Sequence, residues 1–176
     1  MMMIRTDITK TAAFTGHRFI RYKDRQQLKT NLERAITGCY HSGIRHFLCG
    51  MAAGFDMLAA ETLLAMKADY SDIRLTAVIP FRGQSCKFNP TDKERYSSIL
   101  GKADNVVCLS ETYFDGCFLR RNDYMLERAN RIIAYYNGEP KGGTFYTCRR
   151  AKRMNLEITN LYKPHLTIQT HDYNKN

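Results

Sequence analysis

No apolar run in this sequence reaches the ~18–20 residues that cross a bilayer, so no membrane association is expected. The opening MMMIRTDITK also lacks the apolar stretch of a signal peptide, and the expectation is a cytoplasmic protein. None of the six cysteines (Cys39, Cys49, Cys86, Cys108, Cys117, Cys148) falls in a CxxC pair. Cys49 and Cys108 lie inside apolar strand-like runs, which reads as reduced, buried thiols and no structural zinc or other metal. GxGxxG is missing, and so is a glycine-rich loop ending in GKS or GKT. That excludes the usual dinucleotide fingerprint and the Walker A loop. The histidines (17, 41, 46, 165 and 171) are scattered, and no Ser-His-Asp or Cys-His spacing marks a nucleophile. Repeats, low-complexity stretches and linkers are absent too. One domain over 1–176 is expected, with a core at 10–162 and a polar tail at 163–176.

Hydrophobic residues make up 44% of the 176 and charged residues 25%, enough apolar surface for a sizeable core. The net charge of +10 is unevenly placed. Residues 1–45 carry nine basic and three acidic side chains, residues 46–140 eleven and twelve, and residues 141–176 seven and two. Basic ends around a balanced middle suit either a site for an anionic ligand or weak, sequence-independent nucleic-acid binding.

Short apolar runs alternate with helical patterns. Strands are expected at 11–15, 44–49, 73–80, 105–109, 131–136 and 156–162, and helices at 24–41, 54–69, 91–102, 120–129 and 144–154. The alternation predicts an α/β, Rossmann-like fold: a mostly parallel sheet with helices on both faces. TAVIP and NVVCL read as continuous apolar runs, as central strands do. The helix from 54 is apolar nearly all round, which places Phe55, Leu58 and Leu63 in the core.

Ligands of such sheets bind beyond the carboxyl ends of the strands, where loops meet helix N-termini. Four stretches fit. FTGHR puts Gly16, His17 and Arg18 there, with Arg18 suited to a phosphate or carboxylate. CGMAAGFDMLAAE brings Gly50 and Gly54 to a helix start whose N–H groups at 52–56 can receive an anion. Asp56 in that first turn repels phosphate and suits a ribose hydroxyl better. Glu61 lies about 140° around the helix from Asp56, so these two weak candidates for acid–base catalysis do not form a ready pair. PKGGTFYT offers Gly142 and Gly143 as an anion cradle, with Thr144 as cap. FLRRNDYM supplies Arg121 and Asn122 near a helix start. GQSCKF is long enough to form a wall or lid, where Gln84 would read a base edge and Phe88 would stack on it.

KTAAFTGHR, CGMAAGFDMLAAE, AVIPFRGQ, RRNDYMLERANRIIAYYNG and GGTFYTCRRA, in this order, resemble the YpsA/YoqJ-type family of the SLOG superfamily. That superfamily includes DNA-processing protein A and the lonely-guy phosphoribohydrolases. The resemblance runs from about residue 10 to 162. It implies a Rossmann-like sheet with a nucleotide or ADP-ribose-like ligand at its carboxyl edge, held by the residues just named. Two departures stand out. Phe19 follows GHR where relatives often have proline, and Thr147 occupies the place of the catalytic glutamate in the lonely-guy PGGxGTxxE motif. The resemblance therefore implies ligand sensing and does not carry hydrolase activity. The expectation is a binding or sensor domain for a nucleotide-derived ligand. The alternatives are a hydrolase of an N-glycosidic or phosphoester bond and a non-specific nucleic-acid-binding protein. A homo-oligomer stays open.

Overall fold

Strand and helix alternate along the chain as the apolar pattern predicts. The structure, a computed structural model, describes residues 7–164; most of the polar tail, from 165, lies outside the described residues. The strands are β1 (Thr11–Gly16), β2 (His46–Cys49), β3 (Arg74–Ile79), β4 (Asn105–Cys108), β5 (Arg131–Tyr135) and β6 (Glu157–Asn160). The helices are α1 (Arg25–His41), α2 (Phe55–Met66), α3 (Pro90–Lys102), α4 (Cys117–Leu126) and α5 (Gly142–Arg153). All the strand pairs are parallel, in the order β4-β3-β2-β1-β5-β6. Because β1 is central and its neighbour on the second side is β5, the strand order reverses there. A crevice at the carboxyl ends of these two strands is the natural ligand site.

Two apolar layers cover the sheet. Phe14, Phe47, Ile133 and Leu75 pack with α1, α2 and α3 on one face. Val78, Ile132 and Ala134 pack with α4 and α5 on the other. Helix α1 shows how the pattern works, since its buried Leu28, Leu32, Ile36 and Cys39 recur at helical spacing along one stripe. Asn89 caps α3 by accepting the Asp92 N–H at 2.8 Å, with Pro90 at the first helical position.

Helix α2 lies against β1, β2 and β3, flanked by α1 and α3. Phe55 and Leu63 are fully buried, as are Met57, Ala59 and Ala60. Leu58 is only half-buried and the helix stops at Met66, so its outer stripe is less enclosed than composition implies.

Strand β4 corrects another expectation. It is an edge strand, not a central one, and its Val106 is 48% exposed. Its neighbour covers one side only, so an apolar run does not guarantee two buried faces. For the same reason Cys108 is exposed, as Cys86 is in its loop, whereas Cys39, Cys49, Cys117 and Cys148 are buried; all six are free. No helix among the described residues is long and apolar enough to cross a membrane.

Candidate functional site

The loop after β1 begins the site. Gly16 closes the strand against Phe55, whose ring stacks on Tyr135 with centroids 5.8 Å apart. A side chain at Gly16 would strike that ring. The next two residues bind the loop to its neighbours. The His17 N–H donates to the Tyr135 carbonyl at 3.1 Å, and the His17 carbonyl accepts the Phe55 N–H at 3.1 Å. His17 Nε2 also accepts the Asn137 N–H at 3.0 Å. Arg18 is exposed and has no ion-pair partner among the described residues; its guanidinium carbon stands 5.5 Å from the centre of the Phe118 ring.

The loop after β2 is shaped by close protein packing. Gly54 has φ +86°, and a Cβ there would collide with the Arg18 backbone carbonyl. Gly50 is approached by Arg121, whose guanidinium would lie 2.5 Å from a Cβ at this position. The Gly50 carbonyl accepts from Arg121 Nη1 and from Gln84 Nε2, the latter at 3.0 Å. These glycines therefore admit protein atoms. Of the N–H groups at 52–56, that of Ala52 donates to Asp56 Oδ2 at 3.2 Å and that of Phe55 to His17, so neither is free for an anion.

Asp56 and Arg121 are the buried charges of the site, 4% and 5% exposed. They form no direct ion pair. Arg121 instead donates through Nε to Asn122 Oδ1 at 2.8 Å and through Nη1 to Gly50, while its Nη2 has no acceptor among the described residues. Asp56 Oδ1 is buried without a hydrogen-bond partner among the described residues. Burial raises the Asp56 carboxyl from 3.8 to about 6, against the opposing pull of Arg121, the Ala52 N–H and Arg18. Burial likewise lowers the Arg121 guanidinium, which Asp56 counteracts.

Helix α5 supplies the far wall. It starts at Gly142, so Thr144 sits inside the first turn and is not its cap; Lys141 occupies the cap position and makes no side-chain capping bond. The first-turn N–H groups, which no helix can satisfy internally, thus receive no side-chain cap. Helix α4 also begins earlier than the pattern implies, at Cys117 after Gly116 in the left-handed conformation. Arg121 is therefore a second-turn residue, clear of the unfavourable first turn.

A cavity of about 380 Å³ brings most of the expected residues together. Gly16, His17, Arg18, Asp56, Arg121, Asn122, Gly143 and Thr144 all line it, with Thr15 and Phe118 beside them. Its walls come from β1, the α2 start, α4 and α5, at the strand-order reversal. Five stand apart, one of them Gln84, which lines a neighbouring cleft. Gly50 and Gly54 lie behind the wall as packing positions, Gly142 lines a neighbouring groove, and Glu61 pairs with Arg95 at 2.8 Å in another depression. Thr147, at the place of the lonely-guy glutamate, donates to the Gly143 carbonyl within α5 at 2.8 Å. No group of three or more His, Cys, Asp or Glu residues suited to a metal occurs among the described residues.

Gln84 does not face a ligand with free groups. It is 6% exposed, its amide N–H holds Gly50, and its carbonyl accepts from Tyr96 at 3.4 Å. It is a strut between the α3 side and the β2 loop. Gln84→Ala should destabilise the protein by about 1–2 kcal/mol in urea unfolding, because it leaves the buried Tyr96 hydroxyl without its acceptor. No loss of stability would remove this structural role. Phe88 packs edge-on against Tyr96 at 5.7 Å. The aromatic side chains that sequence reasoning missed are Phe81, Tyr113 and Phe118, which form one contiguous group. Phe81 and Tyr113 follow the carboxyl ends of β3 and β4, and an aromatic at such a position is the signal that could have found them.

The comparisons with known proteins agree with this fold. Residues 15–170 match the YpsA family model, described as the YspA SLOG family, and the chain belongs to that family. A "UPF0398 protein" of Bacillus pumilus is 25% identical over 129 residues, 72% of this chain and 69% of that one. Its counterpart in Bacillus thuringiensis is 26% identical over 137 residues, 77% of this chain and 74% of the relative. Among solved structures, DNA processing protein A from Helicobacter pylori is similar in fold, with a TM-score of 0.58 at 20% identity. The match covers 87% of this chain and 65%, just under two thirds, of that one, whose description concerns single-stranded DNA binding.

Proposed function

We propose that the protein is a binding or sensor domain for a nucleotide-derived anion, held in the cavity between β1, α2, α4 and α5. The observation that carries this reading is Asp56 Oδ1, a buried carboxylate oxygen without a partner among the described residues, at a cavity that the buried Arg121 side chain also lines. Buried polar atoms in folded proteins nearly always have partners, and a site waiting for its ligand is one reason for an exception. Arg18 and the uncapped α5 N-terminus suit a phosphate, and Asp56 suits a sugar hydroxyl.

The test is a thermal-unfolding panel of mono- and dinucleotides, ADP-ribose and cyclic nucleotides. A ligand at about a hundred times its Kd adds roughly 2.7 kcal/mol, a rise in Tm of several degrees for a domain of this size. Arg18→Ala should abolish the rise. Lys152→Ala, in the last turn of α5, should preserve it. No shift across the panel with the unmodified protein would remove the reading's support.

One observation favours a hydrolase as a second reading. A carboxyl lifted to about 6 and left with a free oxygen is suited to acid–base work near neutral pH. Chromatography of incubated nucleotides separates the two: a sensor returns its ligand intact, whereas a hydrolase releases base or phosphate. Nucleic-acid binding through the basic ends is expected to be sequence-independent and steeply lost with salt.

A further inference from the structure

Beside the anion cavity lies a larger cleft of about 930 Å³. The two share Arg18, Ala52 and Phe118, so one ligand can occupy both. We propose that this cleft is the compartment for a planar base, gripped by Phe81, Tyr113 and Phe118 and held by stacking on them. The inference rests on the nucleotide reading of the adjoining cavity and adds to it where the base sits and how it is held.

Phe81 is edge-on to both of the other rings, which are tilted at 57° to each other. Phe81 and Tyr113 have centroids 5.5 Å apart at 82°, and Phe81 and Phe118 5.9 Å apart at 77°. Edge-on contact leaves ring faces available to a flat ligand group. Tyr113 is 57% exposed, and an uncovered aromatic group at the mouth of a cleft is a feature of binding surfaces. The loops that carry Phe81 and Tyr113 are tied together by Arg82 and Glu111, which pair through two bonds of 2.6 and 2.9 Å.

The polar groups of the wall indicate how the base is read. Glu111 holds Arg82, Asp92 holds Arg95, and Gln84 holds Gly50. Few hydrogen-bonding groups remain to distinguish one base edge from another. Recognition by stacking is tolerant of base identity, and larger rings gain more from it. Arg18 stands at the junction, where it can meet the phosphate while lying against Phe118.

The chain contains no tryptophan, so Tyr113→Trp places a single fluorophore at the cleft. AMP, GMP, CMP and UMP should quench it, the purines at lower concentration, while ribose 5-phosphate should not. Cys86, an exposed thiol of the cleft wall, should be alkylated several-fold more slowly with nucleotide than with ribose 5-phosphate. The exposed Cys108, outside the cleft lining, is the internal control. Tyr113→Ala should weaken AMP at least ten-fold by calorimetry and leave ribose 5-phosphate within two-fold. Equal affinity of ribose 5-phosphate and all four nucleotides overturns the base compartment and leaves the anion site standing, as does an equal effect of Tyr113→Ala on both ligands. Binding of neither class overturns the anion reading and this inference with it.

Discussion

Gly54→Ala is expected to prevent stable folding or to cost roughly 4 kcal/mol or more, through two separate effects. Gly54 has φ +86° and ψ −119°, a region that residues with a Cβ essentially avoid. The added methyl would also meet the Arg18 carbonyl, a backbone atom that no rotamer change can move aside. Relief would have to shift the loop after β1, which is held at His17 by hydrogen bonds to Tyr135 and Phe55. Against a total stability of about 5–15 kcal/mol, such a loss dominates. Gly143 is the informative contrast. Its nearest neighbour to an added Cβ is the Asn122 amide at 3.7 Å, an ordinary contact, and it faces the cavity. Gly143→Val should therefore keep the unfolding midpoint close to that of the parent while abolishing the nucleotide-induced rise in Tm. Urea titration of both variants separates the packing glycine from the cavity glycine. A Gly54→Ala protein within 1 kcal/mol of the parent would contradict the close approach of the two loops.

That contrast also marks where sequence reasoning succeeds and stops. Strand–helix alternation is visible because each element must hide one apolar face, and the helical period then separates Asp56 from Glu61 as observed. Whether a glycine admits a ligand or a neighbouring loop depends on a segment distant in the chain. Gly54 and Gly143 look alike in the sequence, but only Gly54 faces a carbonyl 36 residues upstream. Gln84 carries the right chemistry for a base edge, yet its partners come from the β2 loop and α3. Phe81, Tyr113 and Phe118 become a group only once parallel pairing sets the ends of β3 and β4 side by side. The run NVVCL has the composition of a central strand, and the strand order alone makes it an edge.

Asp56→Asn is expected to stabilise the empty protein by up to about 3 kcal/mol at neutral pH, an unusual direction for a buried position. The carboxyl at about 6 in the fold, against 3.8 for an aspartate in water, means that burial disfavours its charged form. The sign follows from linkage. A folded-state value above the unfolded one gives stability that is fully present below about 3.8 and lost as pH rises through about 6. Asparagine keeps an oxygen for the Ala52 N–H and carries no charge, so it resembles the protonated side chain at every pH. The advantage of the variant should thus be greatest above pH 6.5, shrink between pH 6 and 4, and vanish below. Paired urea titrations across that range measure it directly. An advantage independent of pH would assign the gain to packing, and a variant less stable than the parent at pH 7 would mean that Arg121 needs the negative charge more than the site suffers from it. The expected outcome identifies Asp56 as a residue that costs stability where it stands, as groups placed for a ligand commonly do.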